Sequence, residues 1–80
     1  MTRARDVVEV IARKLVDQPD LVKVTEMEDE DGSDISVVTG SGDLGKLIGR
    51  QGRTATAVRT LATVAAEVDG TRAAVDFIDE

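Results

Sequence analysis

The sequence predicts a small α+β domain with the element order α-β-β-α-α-β. Three observations carry this. Val8, Ile11, Ala12, Leu15 and Val16 recur at helical spacing near the N-terminus. Two β-prone runs follow, separated by the turn sequence Asp29-Glu30-Asp31-Gly32-Ser33. Two further helical stretches, interrupted by Gly49-Arg50-Gln51-Gly52, then lead to an alternating run from Arg72 to Ile78.

The first helix starts at a cap, Thr2 or Asp6, and runs to about Val16, where Pro19 stops it. Arg5, Glu9, Arg13 and Asp17 ride its polar side. The Arg5/Glu9 and Glu9/Arg13 spacings are i,i+4 ion pairs, each contributing roughly 0.2–0.5 kcal/mol. Leu21 to about Glu28 is the first strand, with Val22 and Val24 on one face. Asp-Gly makes the corner of a hairpin, and Ile35 to Thr39 is its second strand. Gly40-Ser41-Gly42 is a joint, and Ser41 or Asp43 is placed to cap a short helix holding Leu44, Leu47 and Ile48. The long helix from Thr54 to Val68 carries Ala55, Val58, Leu61, Ala62, Ala65 and Val68 as a broad apolar band. Its small residues permit close packing against the sheet or a second copy. Asp69-Gly70 ends it, and Ala73, Val75 and Phe77 share one face of the last strand.

The segment Asp43–Thr54, D-L-G-K-L-I-G-R-Q-G-R-T, organises the rest. A glycine after a helix takes φ > 0 without Cβ strain and terminates it. A second glycine at the start of the next helix leaves the backbone bare, beside N–H groups whose partial positive charge suits a phosphate. From Leu44 to Ala66 there are four basic residues, Lys46, Arg50, Arg53 and Arg59, and no acidic one.

This run, K-L-I-G-R-Q-G-R, resembles the G-x-x-G loop of KH domains, which clamp the backbone of about four nucleotides. The length and element order resemble the small bacterial KH-domain RNA-binding proteins of the KhpA type, over essentially all 80 residues. The resemblance implies a single type II-like KH domain over residues 1–80, a three-stranded sheet covered on one face by three helices. It implies that Gly49 and Gly52 admit a sugar-phosphate backbone, that Arg50, Gln51 and Arg53 contact phosphates or sugars, and that Lys46 adds charge at the groove edge. Leu47 and Ile48 would form an apolar floor for the bases, with Ile48 serving the core as well and Leu47 open to a plain core role. A strand and the adjacent hairpin would form the opposite wall. The implied partners are single-stranded RNA and, as homodimer or heterodimer, a second copy or another KH-containing RNA-binding protein. The implied roles are post-transcriptional regulation or RNA chaperoning, and cell-envelope homeostasis.

Composition narrows the chemistry. With no cysteine or histidine the chain lacks thiolate ligands, imidazole ligands and the commonest general base. No cofactor, metal or catalytic residue is expected. Six acids between Glu26 and Asp34 lack the ligand pattern of a calcium loop and read as solvated hairpin charge. G-R-Q-G lacks the G-K-[ST] of a phosphate-binding P-loop. A DNA-reading helix-turn-helix fits poorly, because the second helix has few polar residues able to reach base edges. Phe77, the one aromatic residue, reads as core, so an aromatic stacking platform is not expected. No stretch approaches the length of a membrane span, and the start M-T-R-A-R-D leads into an amphipathic pattern rather than a signal-peptide core. The expected compartment is the cytoplasm. The net charge of −6 makes long-range steering of a polyanion weak, and the acidic hairpin threatens to repel RNA if it folds over the groove. The alternative reading is a KH-fold protein-interaction module with little RNA binding of its own.

Overall fold

The computed structural model describes residues 2–78. Helix α1 spans Arg3–Leu15, strands β1 and β2 span Lys23–Asp29 and Gly32–Val38, helices α2 and α3 span Leu44–Ile48 and Arg53–Val68, and strand β3 spans Ala73–Ile78. The order α-β-β-α-α-β is the expected one.

Thr2, not Asp6, caps α1, its hydroxyl accepting from the Arg5 N–H. Pro19–Leu21 forms one 3-10 turn with Pro at its start, where a fixed φ and a missing N–H cost nothing. That turn delays β1 to Lys23. β2 begins at Gly32, three residues before Ile35, because Asp29 pairs with Gly32 and leaves a two-residue loop, Glu30-Asp31. The Asp29 carboxylate accepts from the N–H groups of Asp31 at 2.8 Å and Gly32 at 3.1 Å, which fixes the loop from within.

The sheet order is β1-β2-β3, antiparallel between β1 and β2 and parallel between β2 and β3. The parallel return from β2 to β3 is made through α2 and α3, as a crossover of that kind requires. Val24, Ile35, Val37 and Val75 point to the helices and are buried. The other face carries Thr25, Met27, Asp34 and Asp76 toward solvent. Alternation of this kind marks a sheet covered on one side only.

The core closes with small side chains. Ala4, Val8 and Ala12 of α1 share one cluster with Val58, Ala62 and Ala66 of α3. The inward row of α3 is Ala55, Val58, Ala62 and Ala66, so the expected band is corrected: Leu61 is 49% and Val68 65% exposed. Each residue turns the helix by about 100°, and a row centred on Ala62 leaves Leu61 on the flank and Val68 on the far side. Leu15, expected on the inward face of α1, is likewise 41% exposed. α3 ends in a Schellman arrangement: Thr71 N–H donates to the Ala66 carbonyl and Gly70 N–H to that of Glu67, with Gly70 at φ +73°.

The hairpin meets the C-terminal end of α3. Glu28, Asp29, Gly32 and Ser33 line a shallow depression together with Thr2, Asp69 and Thr71. α3 has 16 residues, about 24 Å at helical rise, so the acidic tip and the Gly49–Gly52 turn lie at opposite ends of it. Among the described residues no helix is long and apolar enough to cross a membrane.

Candidate nucleic-acid interface

α2 stops at Ile48 because Gly49 leaves helical space, at φ 75° and ψ 173°, while its N–H still donates to the Gly45 carbonyl at 2.9 Å. A methyl group at Gly49 would lie 2.3 Å from Thr54 Oγ1. Gln51 follows in the left-handed region, φ 57° and ψ 24°, and is the one non-glycine residue with positive φ among the described residues. Gly52 is left-handed too, φ 74° and ψ 12°, and its N–H donates back to the Gly49 carbonyl at 3.2 Å. A Cβ at Gly52 would meet nothing within 4 Å. The turn is therefore packed shut at its first glycine and open to the outside at its second.

α3 begins without a side-chain cap and has no acidic residue in its first turn. The positive end of its dipole is left without a protein-supplied anion. Arg50, Gln51 and Arg53 are exposed around it. Arg53 Nη2 donates to Gln51 Oε1 at 3.2 Å, which ties those two side chains together. Among the described residues Arg50 makes no ion pair or side-chain hydrogen bond.

Lys46 is placed otherwise than the sequence suggested. Its Nζ lies 3.1 Å from Asp17 Oδ2 and 3.9 Å from Asp43 Oδ1. The acid-free stretch in sequence is not acid-free in space, because the α1–β1 connection brings Asp17 alongside. Asp43 sits at the N-cap position of α2 but makes no capping bond. It is buried, and its Oδ2 accepts instead from the Gln18 N–H at 2.9 Å, so the carboxylate anchors the connection to the start of α2.

Leu47 and Ile48 exchange the parts the sequence suggested. Leu47 is fully enclosed and belongs to the central cluster. Ile48 is only partly buried and is the apolar side chain next to the turn with surface to offer. The strand facing α2 and α3 is β3. The hairpin tip, expected on the opposite wall, is at the far end of α3, where Asp69 and Thr71 meet it. The reason is the parallel pairing of β3 with β2, which brings the end of β3, rather than the hairpin turn, to the level of α2.

Arg59 is the feature that sequence reading passed over as one of four bases. Its Nε donates to the Val75 carbonyl at 3.2 Å, and its guanidinium carbon lies 5.2 Å from the centroid of the Phe77 ring. Phe77, expected in the core, packs against it partly buried while also receiving Arg59. The available signal was position: Arg59 follows Val58 on the inward row, so it leaves the helix on the flank nearest the sheet.

Comparison with known proteins gives the same picture. A family model described as KhpA/KhpB, KH domain, matches residues 5–77. The chain is 39% identical over 79 residues to the "RNA-binding protein KhpA" of Aquifex aeolicus, covering 99% of this chain and 100% of that one. It is 43% identical over 75 residues to the protein of the same name from Halalkalibacterium halodurans, covering 94% and 99%, and 45% identical over 74 residues to that from Mycobacterium bovis, covering 92% and 89%. No solved structure matches significantly. A KH family model matching almost the whole chain, and relatives aligned nearly end to end, agree with the mixed three-stranded sheet and the glycine turn between α2 and α3: the chain belongs to the KhpA/KhpB family of KH-domain proteins.

Proposed function

We propose that this protein is a non-catalytic RNA-binding protein that clamps the backbone of single-stranded RNA, about four nucleotides, at the turn Gly49–Gly52. The observation that carries the reading is the open second glycine. Gly52 is left-handed, has nothing within 4 Å of its missing side chain, and begins an uncapped helix. A phosphate can approach bare backbone there, at the positive end of a 16-residue helix. Arg50 and Arg53 supply charge at the rim, Gln51 a polar contact, and Ile48 an apolar surface for a base. Leu47 acts from within the core by holding α2 in place, and Lys46 acts through a charge shared with Asp17. The relatives carry the printed name "RNA-binding protein KhpA", which supports the same assignment.

The net charge of −6 keeps long-range attraction weak, but the hairpin acids are held at the opposite end of α3 from the turn, so they do not oppose contact there. One shallow site suggests an affinity around the micromolar range, about −8 kcal/mol. A role in post-transcriptional regulation or RNA chaperoning, in the cytoplasm, fits a small clamp of this strength. Association raises such an affinity by effective concentration. Leu61, Val64 and Val68, exposed on the outer side of α3, favour a homodimer or a heterodimer with another KH-containing protein. The same strip also supports a second reading, in which protein partners are the main ligands.

The deciding experiment is fluorescence anisotropy of labelled single-stranded RNA with the wild type and with the Arg50→Asp, Gln51→Asp double variant. Loss of binding with an unchanged circular dichroism spectrum supports the clamp. Equal binding by both proteins overturns the site, and absence of binding by either moves the assignment to the protein-interaction reading.

A further inference from the structure

We propose that Arg59 reads a base of the bound strand and favours guanine at that position. This rests on the RNA-binding reading above and adds a determinant outside the glycine turn.

β3 is an edge strand. At its start the Ser33 N–H donates to the Arg72 carbonyl at 2.9 Å. In a parallel ladder, alternate residues bond to the neighbour, so the even-numbered residues of β3 face β2. The backbone groups of Ala73, Val75 and Phe77 point outward. The Val75 carbonyl that receives Arg59 is therefore on the free edge, and the guanidinium lies along that edge.

Two contacts fix the side chain there, the Nε bond to Val75 and the Phe77 ring. A long cation on an exposed helix flank ordinarily samples many rotamers; this one is held before any ligand arrives. Its Nε is spent on the carbonyl. The two Nη groups make no hydrogen bond or ion pair among the described residues. They form the end of the guanidinium fork, two donors side by side, which matches two acceptors side by side on one edge.

Guanine presents such an edge in O6 and N7. Adenine replaces O6 with an amino donor, and cytosine presents a donor at N4. A phosphate also offers paired acceptors. The location favours the base. Arg59 lies six residues beyond Arg53, about 9 Å along the helix, next to an aromatic ring and a sheet edge. The backbone is engaged at the turn, where the bare glycine and two arginines are, and the bases of a strand held there are free to point across toward β3.

The experiment is anisotropy with labelled oligouridine eight-mers carrying a single guanine or a single adenine at each position in turn. The wild type is compared with Arg59→Lys, which keeps the charge and loses the fork. The expected wild-type preference for guanine over adenine is about five- to a hundred-fold at one position, the range of a bidentate arginine contact. In Arg59→Lys the preference is expected to fall to within about twofold, while oligouridine affinity stays within about threefold. A preference that persists in Arg59→Lys overturns the proposal. So does a uniform loss on all sequences with a shallower salt dependence, the signature of a phosphate contact. Wild-type binding without any guanine preference overturns it while leaving the clamp intact, whereas failure to bind every oligonucleotide overturns the clamp as well. Equal thermal midpoints of the two proteins show that the lysine variant is folded.

Discussion

The side chain that Gly49 lacks would overlap Thr54, with a Cβ only 2.3 Å from Thr54 Oγ1 and 2.7 Å from its Cβ. The first residue of the turn is thus locked against the first turn of the helix that follows it. This contact orients α3 relative to α2 and sets the direction in which Arg50 and Gln51 project. Gly52 has the same positive φ and no such neighbour.

The two glycines should therefore respond differently to alanine. Gly52→Ala bears only the left-handed backbone cost, about 1–2 kcal/mol. Gly49→Ala bears that cost and the Thr54 overlap, and should lose about 3 kcal/mol or more by the sum of backbone strain and overpacking. Urea unfolding of the two variants measures the difference; equal midpoints would remove the Thr54 contact as an organising feature.

Gln51 holds a left-handed conformation, φ 57°, without being glycine. Gln51→Gly should raise stability by up to about 1 kcal/mol by relieving that cost. It should also lower RNA affinity, because the Gln51–Arg53 side-chain bond at 3.2 Å is lost. Thermal unfolding and anisotropy on the same samples test the two signs together.

The ion pairs of Lys46 set a ranking among the basic residues. Arg50→Ala should weaken RNA binding several-fold, whereas Lys46→Ala, whose charge is already matched by Asp17 at 3.1 Å, should change it less than twofold. The wild-type affinity should fall with salt at a log–log slope of about −2, from roughly 0.7 per phosphate over about three phosphates. Asp43→Ala should cost stability by about 2 kcal/mol, since it leaves the Gln18 N–H without its carboxylate acceptor. Asp17→Ala, at an exposed site, should cost less than about 0.5 kcal/mol.

Glu9 gives a pH dependence with a definite sign. Its carboxyl is held below the ordinary carboxylate value, first by the hydrogen bond from Arg13, against the opposing effect of burial, and then by Arg5. A depressed folded-state pKa means stability that is present above the unfolded value and lost as pH falls through the folded one. For two surface i,i+4 pairs the amount is below about 1 kcal/mol. Glu9→Gln should be less stable than the wild type at neutral pH, with the gap closing on acidification below the ordinary glutamate range. Denaturant midpoints across the acidic range measure that convergence.

The outer strip of α3 predicts association. Val64 is 53% exposed between Leu61 and Val68, and Val64→Asp should leave the core untouched while shifting any dimer toward monomer in light scattering. If the wild type is dimeric and Val64→Asp stays equally dimeric, the interface lies elsewhere.

Much of the fold was legible because its signals are local. The periodicity of Val8, Ala12 and Val16, the Asp29–Gly32 turn and the Asp69-Gly70 stop each depend on a few neighbouring residues and backbone preferences. The glycine pair Gly49 and Gly52 was legible for the same reason: positive φ is a property of single residues. Element edges at Leu21 and Ile35 shifted because a proline turn and strand pairing decided them. The roles of Leu47 and Ile48, adjacent and similarly apolar, could not be separated without knowing the angle at which α2 meets the core.

The sequence by itself determined the element order, the left-handed glycine turn and the family, since all three reside in residue type and spacing along one chain. Only the tertiary structure decided which charges meet. It brought Asp17 to Lys46 across 29 residues, moved the acidic hairpin to the far end of α3, and laid Arg59 along the free edge of β3 over Phe77. Coulombic and hydrogen-bonding partners are chosen by distance in space, and the crossover that returns β3 beside β2 sets those distances.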